Sequence, residues 1–221
     1  MTVFAAASLT EAFRALGTEF EGNHPGVEVA FNFAAAPTLV TQIQQGAPAD
    51  VFASADEPNM KKAVDTGEVE GAPRTFARNH LQIAVAAGNP KRITGLADLT
   101  KPGLTIAGVA PDVPVGRYGA EAFAKAGLQP PEASREESVK AVVNRIALGE
   151  ADAGIVYVTD VKAAAGKVGG VEIPEEQNVV ARYPIAALRE APHGDAARAF
   201  VEFVLSRPGQ EVMSRFGFLE P

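Results

Sequence analysis

Cysteine is absent from the 221 residues, and with it go disulfides, thiolate nucleophiles and every cysteine-based metal site. Histidine is scarce. His24, His80 and His193 stand apart, each among turn-forming residues, and read as surface side chains rather than as bases or ligands. The 20 Lys and Arg residues form no run and are outnumbered by 27 Asp and Glu, for a net charge of −7, which excludes nucleic acid as a general partner. No apolar stretch approaches the roughly 18 to 20 residues that cross a bilayer. The chain has no Gly-x-Ser-x-Gly elbow and no His-Glu-x-x-His helix, and Gly166-Lys167 runs into Val168, where a phosphate-binding loop requires Ser or Thr. Asp50, Asp56 and Glu57 are the one acidic group that imitates a metal site. Asp56 is better explained as a helix cap, and no histidine joins them. The expectation is therefore no catalytic residue, no direct metal-ion ligand and no cofactor.

What remains is ordinary for a packed globular protein: 47% hydrophobic and 21% charged residues in a chain long enough for two small α/β lobes. An anionic small ligand stays possible, because oriented neutral donors can hold an anion whatever the net charge. The N-terminus has no basic region followed by an apolar one and enters a strand directly, so any export segment is expected to have been removed.

The opening stretch packs a strand, a turn and a helix start into eleven residues, Val3 to Phe13. Its apolar run ends at Ser8, after which Leu9, Ala12, Phe13, Leu16 and Phe20 recur at helical spacing. Ser8-x-x-Glu11 spells a capping box, and the same helix start could instead hold an anion with its free amides. A strand over 27–33 then loses all side-chain bulk at Ala34-Ala35-Ala36, and Pro37 opens a helix that Gly46 stops. This places Ala36 at the cap, where it has no oxygen to offer. A buried strand over 49–55 and a helix opened by Asp56 complete a strand–helix rhythm that implies a parallel sheet.

The pattern restarts at Leu81 with strands over 81–87 and 104–109 around a short helical turn at 96–99. Pro114 and Gly116 bracket Val115 at the start of a helix that stops at Gly127. A helix over 134–149, capped by Ser134 or Ser138, leads through Gly149 to the strand 153–158, which carries Tyr157 near its C-terminal end, where open α/β sheets gather ligand contacts. The strand 183–188 and helices over the tail follow. Small-residue turns before helix N-termini thus recur at Ser8, Ala36, Val115 and Val139, which is equipment for holding a ligand rather than transforming one.

These residues carry a family resemblance. The chain resembles the periplasmic molybdate-binding proteins of ABC transporters, within the type II periplasmic-binding-protein fold, through Val3-Phe4-Ala5-Ala6-Ala7-Ser8-Leu9-Thr10, Gln42-Ile43, Gly46-Ala47-Pro48-Ala49-Asp50-Val51-Phe52-Ala53-Ser54-Ala55-Asp56, Val113-Pro114-Val115-Gly116-Arg117-Tyr118, Gly154-Ile155-Val156-Tyr157 and Tyr183-Pro184-Ile185-Ala186. The resemblance implies an α/β protein of two lobes, 1–80 with 187–221 and 81–186, each a mostly parallel sheet flanked by helices, with the ligand in a cleft between them. It implies hinge closure over molybdate or tungstate and delivery to the membrane permease of an ABC transporter by a periplasmic or extracytoplasmic monomer. The oxyanion would take donors from Ser8, Ala36, Val115, Val139 and Tyr157.

One departure stands out. The family carries a serine-rich turn where this chain has Ala34-Ala35-Ala36-Pro37, so one hydroxyl donor is missing, and Asn32, Thr38 or an ordered water are the candidates to replace it. Sulfate or another oxyanion is the nearest alternative ligand. A protonated phosphate wants a carboxylate acceptor, for which only Asp112 and Glu137 lie close in sequence to the candidate donors. An enzyme or a sensor lobe could use the same fold, but the chain shows neither a nucleophile with its base nor a DNA-binding helix pair.

Overall fold

The computed structural model describes residues 1–221. It resolves into two compact units, Met1–Arg78 with Arg182–Pro221 and Asn79–Ala181. In the first, β1 (Thr2–Ala6) passes through a short 3-10 turn, Ala7–Leu9, into α1 (Thr10–Asn23); β2 (Ala30–Ala34), α2 (Ala36–Gln44), β3 (Val51–Ala53) and α3 (Glu57–Asp65) follow, and β4 (Arg74–Ala86) carries the chain onward. The second unit holds α4 (Leu96–Leu99), α5 (Pro114–Lys125), α6 (Val139–Ala147), β5 (Ala153–Tyr157), α7 (Val158–Ala163) and β6 (Val168–Glu172). Then β7 (Val180–Ala187) returns the chain to α8 (Gly194–Leu205) and α9 (Arg207–Arg215). No helix is long and apolar enough to cross a membrane.

The sheet of the first unit runs β2-β1-β3-β7. β1 pairs in parallel with β2 and β3, and β7 closes the set antiparallel to β3. The strand alternation puts Phe4 and Phe52 on the face covered by Leu39, Val40 and Ile43 of α2 and Met60 and Ala63 of α3. An aromatic cluster forms a second core: the Phe13 ring lies 5.5 Å from Phe76 and 6.1 Å from Phe200, and Phe20 meets Phe200 edge-on at 5.2 Å. The strand expected from Val27 begins only at Ala30, since β1 offers it partners from Thr2 to Ala6 and no further.

Asp50 is the one buried carboxylate that ties this unit's chain ends together. Its Oδ2 accepts the Thr2 amide at 2.6 Å, its Oδ1 accepts the His193 amide at 2.6 Å, and the His193 ring lies 3.2 Å away. Burial alone would raise the Asp50 pKa, but the Thr2 and His193 amides and the His193 ring together hold it below its ordinary value. Asp50 therefore belongs to a structural network, and no group of His, Asp and Glu here could hold a metal ion. A depressed folded-state value means that Asp50 contributes stability above its unfolded pKa and loses it as pH falls through the folded value. Asp50→Ala strands two backbone donors and is expected to cost about 2–4 kcal/mol at neutral pH. The deficit relative to wild type should shrink in acid, which chemical denaturation at pH 7 and pH 3 would measure.

The second unit departs from the parallel arrangement implied by the strand–helix rhythm. β5 and β6 both pair antiparallel with β4, and the only parallel pairings are bridges at Ile106–Ala153 and Val109–Glu136. The run 104–109 thus forms a bridged segment rather than a full strand. β6 escapes a sequence reading because it contains Gly169 and Gly170, yet the glycines are what the pairing needs. A Cβ on Gly170 would sit 2.7 Å from the Gln82 side chain, which crosses that strand and donates to Glu172 at 2.9 Å.

The chain passes between the units at 78/79 within β4 and at 181/182 within β7. Neither passage is a loop. The second lies upstream of the 186/187 position expected from sequence, because β7 is a single uninterrupted strand that carries no Gly or Asn/Asp turn signal.

Candidate functional site

In the first unit the parallel register fixes where Ser8 and Ala36 lie. Ala6 pairs with Ala34, so each residue stands two positions beyond the end of its strand, at the same C-terminal sheet edge. Ser8 is not the cap of α1. It sits inside the 3-10 turn, Leu9 is the cap, and no side-chain capping bond forms at either start, so the expected capping box is replaced by a different contact. The Ser8 hydroxyl lies 3.2 Å from the Tyr183 hydroxyl, and both side chains are buried. Ala36 is the first residue of α2 rather than its cap, which is Ala35; Pro37 follows it. Its amide precedes the first acceptor of the helix ladder and has no partner within α2.

Neither side chain expected to replace the missing serine hydroxyl is placed to do so. Asn32 Nδ2 donates to Gln42 Oε1 at 2.7 Å, and Thr38 is exposed. Ser54, at the end of β3, is likewise committed, since its hydroxyl donates to Asp56 Oδ1 at 3.1 Å while Asp56 caps α3 by accepting the Asn59 amide. Tyr183 is the additional polar group at this edge, and sequence reasoning held it only as part of a motif. Its ring is fully buried and braced edge-on by Phe218 at 5.5 Å and Phe76 at 6.3 Å. That bracing fixes the hydroxyl against Ser8. No local sequence pattern reveals the contact, because Ser8 and Tyr183 are 175 residues apart.

In the second unit α5 and α6 both pack on β5. Val115 is the second residue of α5, behind Pro114, and is buried. Its helix start is pressed against the preceding loop: a Cβ on Gly116 would come within 2.5 Å of the Ala110 carbonyl oxygen, so glycine is required there for close approach. Val139 is the first residue of α6, with Ser138 as cap, the Ser138 hydroxyl accepting the Ala141 amide at 3.3 Å. Of the two capping serines the sequence allowed, Ser138 holds the role; the helix starts at Val139, and 134–138 lead into it. Glu136 secures that lead-in, its pKa lowered by hydrogen bonds from Ser134 and Arg145. Tyr157 ends β5, is 1% exposed, and donates its amide to Asp160 Oδ2 at 3.1 Å. The amides of Val115 and Val139 precede their helix ladders and lie at the positive ends of helix dipoles. Asp112 and Glu137, the carboxylates that could have served a protonated anion, are both exposed.

Every candidate group is therefore an N–H or an O–H, and no Lys or Arg side chain is among them. In the first unit Ser8 and Ala36 stand at one sheet edge. Helix starts and buried hydroxyls of this kind are the equipment of a solute-binding protein. The chain belongs to the bacterial extracellular solute-binding proteins, whose family pattern it matches over residues 1–219. It is 43% identical over 221 residues to the molybdate-binding protein ModA of Mycobacterium tuberculosis, covering 100% of this chain and 85% of the relative. Among solved structures, the periplasmic molybdate-binding protein of Azotobacter vinelandii superposes with a TM-score of 0.87 at 20% identity, covering 100% of this chain and 99% of that one. The sulfate-binding protein SubI of Mycobacterium tuberculosis superposes with a TM-score of 0.90 at 23% identity over 99% of this chain and 85% of its own. These two establish the shared fold. They bind different anions, so the fold by itself does not choose between them.

Proposed function

We propose that this protein captures molybdate, or the isosteric tungstate, outside the cytoplasm and delivers it as a monomer to the membrane permease of an ABC transporter. One oxyanion would be held by the Ser8 hydroxyl, the amides of Ala36, Val115 and Val139 and the Tyr157 hydroxyl, with the two chain passages serving as the hinge for capture and release. The 43% identity to a molybdate-binding protein across the full chain carries this reading. The chemistry of the donors supports it: a fully deprotonated oxyanion offers only acceptors, which suits a set made of N–H and O–H groups and disfavours hydrogen phosphate, whose own O–H would face donors.

The test is calorimetric titration of the ligand-free protein with molybdate, tungstate, sulfate and phosphate. The expected result is one site per chain, tight for molybdate and tungstate, weaker for sulfate and undetectable for phosphate. Preference for sulfate would keep the receptor and change its cargo; binding of an organic solute alone would reject the oxyanion assignment.

A further inference from the structure

The helix starts at Val115 and Val139 grow out of two neighbouring segments of backbone, and one side chain stands where those segments meet. The Glu136 amide donates to the Gly108 carbonyl at 2.8 Å, and Val109 and Glu136 form a parallel bridge. From this junction the chain reaches Val139 in three residues on one side and Val115 in six on the other. The start of α5 also packs back on it, since a Cβ on Gly116 would lie 3.0 Å from a Val109 methyl and 2.5 Å from the Ala110 oxygen.

A chain of polar contacts locks the junction to the body of α6. The Gly108 amide donates to the Ser134 hydroxyl at 3.3 Å, Ser134 hydrogen-bonds to the half-buried Glu136 carboxylate, and Glu136 Oε1 accepts from Arg145 Nη1 at 2.7 Å. Arg145 stands in the last turn of α6, with Glu150 Oε2 3.9 Å from its Nε. The start of α6 does not need this link, because the Ser138 hydroxyl already caps it. Its effect is to hold the lead-in to α6, and through Gly108 and Val109 the segment that feeds α5, as one piece.

We propose that Glu136 is a positioning residue that sets the spacing between the Val115 and Val139 amides, and through it the choice between oxyanions of different size. The inference rests on the oxyanion reading. Donors distinguish ligands by size only when their supports hold them to within about 0.5 Å. Molybdate and sulfate are tetrahedral dianions of equal charge and different size, so a change in local charge acts on both and cancels in the ratio of their affinities. The ratio therefore reports placement.

Glu136→Ala is expected to move the molybdate-to-sulfate affinity ratio toward unity on the order of ten-fold. Arg145→Met cuts the same link from its other end and should do the same, and the double variant should be little worse than either single one. Glu136→Gln keeps an acceptor for Arg145 and gives up the charge, so it should hold the wild-type ratio even if both affinities shift together.

Calorimetric titration of wild type and each variant with molybdate and with sulfate measures the ratio, and thermal melting establishes that each is folded. A ratio reduced in Glu136→Ala and Arg145→Met and retained in Glu136→Gln would support the inference. A merely structural link would weaken both anions equally and leave the ratio unchanged; that result, or a ratio lost as fully in Glu136→Gln, would overturn it. Should Glu136→Ala fail to fold, Arg145→Met decides alone. A wild-type protein that takes up neither anion would instead refute the functional reading and the inference with it.

Discussion

Val139→Pro is expected to weaken oxyanion binding by about ten- to a hundred-fold, the loss of one hydrogen bond to a charged group, while leaving the protein folded. Proline is tolerated at the first position of a helix, where the missing N–H has no intrahelical role. The chain already uses it there in α5, which begins at Pro114. Ser138 has φ −155° and ψ 162°, the extended conformation that a following proline demands, and its hydroxyl already caps α6 through the Ala141 amide. The substitution therefore removes one backbone donor and little else. Val139→Ala is the control, because it trims the side chain and keeps the amide. Affinity lost in the proline variant and retained in the alanine variant would assign the effect to the N–H; equal losses in both would mean that Val139 matters through packing.

Ser8→Ala should cost at least as much in affinity, about ten-fold or more, with a change of only a few degrees in melting temperature. Because Leu9 caps α1 and no side-chain cap exists to lose, the hydroxyl is not needed for the helix. Its one neighbour at hydrogen-bond distance here is the Tyr183 hydroxyl. An oxyanion accepts and does not donate, so in the proposed complex Ser8 would give it its single hydrogen, leaving the Ser8 oxygen to accept from the Tyr183 hydroxyl 3.2 Å away. Chains of hydrogen bonds polarise one another, so the braced tyrosine strengthens the serine as a donor. The position of the serine-rich turn is occupied by Ala36, and Asn32 is already bonded to Gln42, so the proposed site takes its first-unit hydroxyl from Ser8. A variant that lost stability but kept its affinity would return Ser8 to a structural role.

Much of the architecture was legible in the chain because it is written locally. Pro37 and Pro114 at helix starts, Asp56 and Ser138 as caps, and Gly46, Gly67, Gly127 and Gly149 with positive φ at helix ends are short-range signals, and each marks a boundary that the fold uses. Elements whose stability comes from distant partners were not legible. β6 exists because Gly169 and Gly170 accommodate the side chains of β4, and the first half of β4 is a strand although its Arg74, Arg78 and His80 give it no apolar alternation. The same division runs through the candidate site. Ser8, Ala36, Val115, Val139 and Tyr157 could be named because helix starts and strand ends are local features. The Tyr183 brace and the Glu136–Arg145 link could not, since each joins segments with no shared pattern.

The most direct measurement is a crystal structure of the protein with tungstate, whose strong anomalous scattering locates the anion independently of the protein density. The expected result is a single tungsten position per chain, with its oxygens about 2.7–3.2 Å from the Ser8 and Tyr157 hydroxyls and the amides of Ala36, Val115 and Val139, and with no lysine or arginine side chain in contact. A tungsten peak coordinated by a basic side chain, or lying away from these five residues, would contradict the account.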